Sequence, residues 1–324
     1  MRRNVLSSLL LLTAAVPLCA SGCGRLAPAG PPADREEGGE VERIVRLFPE
    51  DDGGDRKKDE VEATEATGLA TIKGVLRLAG DDLPTVRLLI AAVLKVPADV
   101  PVCMPGGRDV PSKALVIGKN RGIANTLIYL KTKNNAIGWT NIPKPPEVQD
   151  IDPDDPANVI PFDQKACVFL GHVVAARVGQ KLNARNLDDA AHNINGIAGV
   201  LIPGKGSTLI TLEKKAAAPI AAGCNIHPWM SAWVLPYDNG YFAVTDADGN
   251  FEIKNLPAGV ELEFNVWHES AVSATQRLNF DVTRAEIADF AWTQKQRGRF
   301  KITLQPGQTA DFKTIEVPLA AFKQ

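Results

Sequence analysis

The sequence predicts an all-β protein, on three observations. From Thr71 onward, short Val-, Ile- and Leu-bearing segments alternate with Gly, Pro, Asn and Asp punctuation. Asp246-Ala247-Asp248-Gly249-Asn250 sets an Asp-Gly turn ahead of Phe251-Glu252-Ile253. No long amphipathic helix and no internal repeat interrupts the pattern.

The elements follow in order. Met1-Arg2-Arg3-Asn4, the apolar run from Val5 to Val16 and the small residues around Cys19 to Gly24 read as an export signal over residues 1–23. It is too short and wrongly flanked to span a membrane. Ala20-Ser21-Gly22-Cys23 resembles a bacterial lipobox, which implies lipidation at Cys23 and an exported protein tethered in the periplasm or cell envelope. Ala20 stands where that motif prefers leucine, so soluble secretion stays open. Residues 24–67 are rich in Pro, Gly, Glu and Asp and poor in apolar residues, a composition that cannot bury enough surface to fold and suits a disordered tether. Within it, Val41 to Phe48 has the makings of a helical turn.

Strands are expected over Ile72 to Leu78, Ala124 to Leu130, Lys181 to Arg185 and Thr208 to Leu212. Val260, Leu262, Phe264 and Val266 alternate with Glu261, Glu263 and Asn265, which gives a half-buried strand, and Phe300 to Leu304 gives another. Thr283-Arg284-Ala285-Glu286 has capping-box form and opens one short helix. Domains are expected at 68–236 and 237–324; in an alternative layout the strands from Ile72 to Lys131 complete the second domain and the first is inserted into it.

A net charge of -2, with no basic stripe carrying interleaved aromatics, argues against nucleic-acid binding. Ser207-Thr208 has no Gly-x-Ser-x-Gly frame, so hydrolysis by a serine nucleophile has no support and the chain is expected not to be an enzyme. Export implies an oxidising compartment, where cysteines pair or bind metal. With Cys23 lipidated, Cys103, Cys167 and Cys224 remain, an odd set that leaves one unpaired. The expected disulfide joins Cys103 to Cys167 and spares Cys224 for a metal.

Cys224-Asn225-Ile226-His227-Pro228-Trp229-Met230 packs a thiolate, an imidazole and a thioether into seven residues. That donor set is soft, and copper is the candidate metal. A trigonal copper site needs a second imidazole from elsewhere, and His192 is the best placed of the remaining histidines, following the strand Gln180 to Asn186 and the turn Leu187-Asp188-Asp189. Phe169, Val173 to Val178, Gly179-Gln180-Lys181-Leu182, Asn186 and His192-Asn193, followed by the Cys, His and Met of one loop, resemble the cupredoxins, the family of plastocyanin and azurin. The resemblance implies a Greek-key β-barrel, one type 1 copper ion, His192, Cys224 and His227 as equatorial ligands with Met230 axial, and one-electron exchange with a redox protein partner. The chain departs from many members in having only Pro228 and Trp229 between His227 and Met230.

Ala243 to His268 resembles a carboxypeptidase regulatory-like domain, a small transthyretin-type β-sandwich without peptidase chemistry. Two readings compete with electron transfer: a cell-envelope scaffold that keeps the fold without copper, and copper delivery. His172 and His268 are expected to be structural, with Glu269 as the partner of His268. Asp246-x-Asp248-Gly249-Asn250 lacks the twelfth-position Glu of a calcium loop and reads as a hairpin turn.

Overall fold

The structure, a computed structural model, describes residues 64–90, 97–131, 137–278, 290–292 and 298–323. The export signal with Cys23, the linker up to residue 63, the turn at Val41 to Phe48 and the helix from Thr283 lie outside the described residues. Among the described residues the one α-helix is the single turn Val100–Cys103, and no helix is long and apolar enough to cross a membrane. The all-β expectation holds.

Two sheets enclose the larger core. Gly68–Leu78 lies between Asn250–Ala258, antiparallel to it, and Thr309–Val317, parallel to it. The second sheet runs in the order Phe242–Val244, Leu127–Leu130, Glu261–Trp267, Arg299–Thr303 and Phe290–Trp292, all antiparallel. Ile72, Leu76, Phe251 and Phe312 from the first sheet meet Ile128, Phe264, Phe300 and Ile302 from the second. Alternation dictates this pattern, because every second side chain of a strand faces the same way. In Leu127–Leu130 all four residues are buried: Ile128 and Leu130 enter this core, while Leu127 and Tyr129 enter another with Val173, Leu235, Tyr237 and Trp267. That second interface joins the larger core to the part that carries the candidate metal ligands.

This part comprises Val159–Pro161, Lys181–Arg185 and Ser207–Thr211 in one sheet, and Val173–Arg177, Ser231–Tyr237 and Ile220–Gly223 in another. Its core holds Phe162, Phe169, Leu182, Ile194, Ile202, Trp229 and Val234. A hairpin, His192–Ile194 against Val200–Ile202, closes one end.

Three sequence expectations shift. Gly68–Leu78 and Leu127–Leu130 pair with the C-terminal strands and not with residues 159–236. Local periodicity marks a strand but not its partner. Thr64–Glu65 already pairs with Ile137–Gly138, inside the segment read as linker up to residue 67. A two-residue strand is too short to carry a periodic signal. The Asp-Gly turn at 246–250 joins two strands of different sheets instead of a paired hairpin. Asp246 Oδ1 accepts the N–H groups of Asp248 and Asn250, each at 2.9 Å.

Candidate metal centre

Two buried imidazoles and a buried thiol meet at the end of the smaller core. His192 opens the strand His192–Ile194, and Asn186 fixes the loop before it: its Nδ2 donates to the carbonyls of Ala190, Ile202 and Pro203, and its Oδ1 accepts the Asp188 N–H. Cys224 follows the strand Ile220–Gly223, which is clipped to the His192 hairpin by reciprocal bonds between Asn195 and Gly223. Asn193 continues the clip. Its N–H donates to Cys224 Sγ at 3.5 Å and its Oδ1 accepts the Asn225 N–H at 2.7 Å. His227 lies in the next turn, closed by the Met230 N–H donating to the His227 carbonyl.

The result is a convergent donor set. His192 Nδ1 and His227 Nδ1 are 2.9 Å apart, Cys224 Sγ is 3.8 Å from His227 Nδ1, and one ligand atom from each of the three residues lies within 4.8 Å of the others. His192, His227 and Cys224 are 0%, 1% and 4% exposed, so water cannot solvate an ion there and the side chains must. Met230 is buried in the same core as Cys224 and Trp229. The Trp229 indole donates to the Cys167 carbonyl at 3.0 Å and its ring tilts against His227 with centroids 5.2 Å apart.

Each imidazole is oriented from behind by a carboxylate. His192 Nε2 bonds Asp188 Oδ2 at 2.9 Å, and His227 Nε2 bonds Asp99 Oδ2 at 3.2 Å. Such contacts fix the tautomer, place the ring proton on Nε2 and leave the other nitrogen as a donor. The two Nδ1 lone pairs then face each other at 2.9 Å, an arrangement that suits a cation shared between them. Burial works against the charged form of His192, but Asp188 and the Cys224 sulfur outweigh it and raise the imidazole to about 9. Burial likewise opposes the Cys224 thiolate, yet His192, His227 and the Asn193 N–H bring the thiol down to about 5. Burial of Asp188 is overcome by His192 and by the N–H groups of Cys167 and Ala166, which hold its carboxyl low. These donors, two imidazole nitrogens and a thiolate, fit the equatorial set that copper favours.

The expected disulfide between Cys103 and Cys167 is present, and Cys224 is free and buried. Sequence reasoning missed the two carboxylates. Asp188 had a local signal, four residues before His192; Asp99, 128 residues from His227, had none. His172 and His268 stand outside the cluster. Glu269 bonds His172 Nε2 and accepts the Trp233 indole N–H, so its partner is His172 and not His268. Successive side chains at a strand end diverge, which separates Glu269 from its neighbour. Burial pushes His268 down to about 4, which keeps it neutral with Nδ1 accepting the Ser270 N–H.

No family model and no curated protein matches the chain. Among solved structures, amicyanin from Paracoccus versutus (Thiobacillus versutus) is similar at 21% identity over 26% of this chain and 85% of its own, with a TM-score of 0.23. An oxidised amicyanin mutant matches at 15% identity over 26% of this chain and 86% of its own, again at 0.23. A reduced Cu(I) form of an amicyanin mutant covers 28% of this chain and 94% of its own at 17% identity and the same TM-score.

Proposed function

We propose that this protein is an electron carrier of the cupredoxin kind, exported and lipid-anchored through Cys23, with one type 1 copper ion held by His192, Cys224 and His227 and capped by Met230. The observation that carries the reading is the pair of Nδ1 atoms 2.9 Å apart beside the Cys224 sulfur, each imidazole backed by a carboxylate. When bound, copper supplies one-electron exchange between its Cu(I) and Cu(II) states with a redox protein partner. The chain's own residues do the rest. Cys224, with its thiol near 5, presents a thiolate at neutral pH without losing a proton first. Asp188 and Asp99 hold the rings against rotation, and the Asn193 and Asn195 contacts lock the two loops together. A donor set fixed this way changes little between oxidation states, which keeps the barrier to electron transfer low. Trp229 and the surrounding apolar core keep water from the ion. Side chains with these roles supply donors and rigidity, and none of them acts on a substrate.

The test is copper loading of the purified chain. One copper per chain, with an intense visible absorption that disappears on reduction and in Cys224→Ser, is the expected outcome. A chain that retains copper without colour, or retains none and acts as a scaffold, contradicts the proposal.

A further inference from the structure

The Cys103–Cys167 disulfide is fully buried and lies against the metal centre. Both of its sulfurs and a ring nitrogen of His227 lie within 4.8 Å of one another, and so do the Cys167 sulfur, an Asp188 carboxylate oxygen and a ring nitrogen of His192. The groups that orient the imidazoles also hold the cystine. Asp188, behind His192, accepts the N–H groups of Ala166 at 2.7 Å and Cys167 at 2.9 Å, and Trp229 bonds the Cys167 carbonyl. Ala166 and Cys167 sit at φ of 52° and 54°, a left-handed conformation that costs a non-glycine residue on the order of 1 kcal/mol or more. It persists here because Asp188 binds both N–H groups, and it aims the Cys167 sulfur at the two rings. On the other arm, Cys103 ends the helical turn that follows Asp99, the residue behind His227. A cross-link serving only to tether the chain requires neither the strained backbone nor the proximity to both imidazoles.

We propose that Cys103 and Cys167 are the oxidised form of a second soft-metal site, alternative to the first because it shares His227, which on reduction binds Cu(I) through both thiolates and His227. The opening step consumes a dithiol: the Cys103–Cys167 S–S bond breaks, its two sulfurs take the two protons and two electrons of the dithiol, and the dithiol leaves as a disulfide. Binding then releases the two thiol protons to solvent as two S–Cu bonds form. Thiolates favour Cu(I), whereas the closed disulfide has no thiolate to offer, so the redox state of this pair sets how firmly the pocket holds the monovalent ion. The inference rests on reading the pocket as a soft-metal centre, and its test is arranged to fail separately from that reading.

The experiment uses the full chain carrying Cys224→Ser, which removes the sulfur of the first site. It is compared with its disulfide intact and after anaerobic reduction by a water-soluble phosphine, which takes up the oxygen of water as the two thiols form. Cu(I) is titrated against bicinchoninate. Binding at least tenfold tighter in the reduced form, abolished by adding Cys103→Ser and Cys167→Ser, is expected. Equal affinity in the two redox states, or tight binding that survives the added substitutions, overturns the proposal. Should the Cys224→Ser chain not fold, X-ray absorption of wild-type protein loaded with Cu(I), before and after reduction of the cystine, decides: at least one further sulfur per copper is expected on reduction, and an unchanged sulfur count, as Cys224 and Met230 alone would give, overturns it. A colourless wild-type copper protein with its disulfide intact sinks the electron-carrier reading alone, because that measurement never opens the cystine.

Discussion

Asp188 and Asp99 decide how the two imidazoles present themselves, since each takes one Nε2 and turns Nδ1 inward. Replacing a carboxylate behind a ligating imidazole typically lowers metal affinity about 10–100-fold. Asp188→Asn is therefore expected to weaken copper binding by that factor in a chelator competition, while Asp189→Asn, at an exposed neighbour, leaves it unchanged. The pH dependence of the metal-free chain follows from the same contacts. Cys224 falls from its ordinary 9.0 to about 5, so its stabilisation is complete above 9.0 and is lost as the pH falls through 5. His192 rises from 6.5 to about 9, so its stabilisation is complete below 6.5 and is lost as the pH rises through 9. Between about 6.5 and 9 the two trends oppose each other, and below 6.5 only the Cys224 loss remains. Denaturant unfolding of metal-free protein should give a plateau over that range and a decline from 6.5 toward 5, and Cys224→Ser should flatten the decline. The three donors were legible in the sequence because Cys224 and His227 share one loop and His192-Asn193 is a recognisable pair. Of the carboxylates behind them, Asp188 had a local signal that was missed, while Asp99 had none, because it lies in a segment with no periodicity to anchor it.

The hairpin and loops that carry the candidate ligands depend on a few backbone positions. Gly196 sits at φ 88°, and a Cβ there would meet the Ala221 carbonyl oxygen at 2.1 Å, where the His192 hairpin crosses the strand leading to Cys224. Gly196→Ala should cost about 1–3 kcal/mol in equilibrium unfolding. A neutral result would show that the two loops are not clipped as described. The disulfide closes a separation of 64 residues, and removing both sulfurs with Cys103→Ser and Cys167→Ser should cost about 2–5 kcal/mol in the same assay. Most strands of the larger core were legible because their alternation is unbroken, as in Val260 to Val266. The turn at Asp246–Asn250 was legible as a turn, but which sheets it joined was not, because a corner between sheets uses the same Asp-Gly chemistry as a hairpin.

Across the whole molecule, residues far apart in the chain build the larger core: Ile72 packs with Phe264 and Phe312 in one cluster. Such pairing leaves no local trace, which is why two layouts were compatible with the sequence. The join between the two parts rests on Leu127, Tyr129, Val173, Leu235 and Trp267, with Glu269 tying His172 and Trp233 across it. Glu269→Ala leaves the buried His172 Nε2 and the partly buried Trp233 indole N–H without this partner, and should destabilise the fold by about 1–3 kcal/mol on chemical denaturation. The central claim is that the buried pocket uses His192, His227 and the Cys224 thiolate together on one copper ion. Electron paramagnetic resonance of the chain loaded with Cu(II) tests it most directly. Unpaired spin shared with the Cys224 sulfur should give an axial signal with narrow copper hyperfine splitting. A wide splitting, typical of copper bound by nitrogen and oxygen alone, would contradict it.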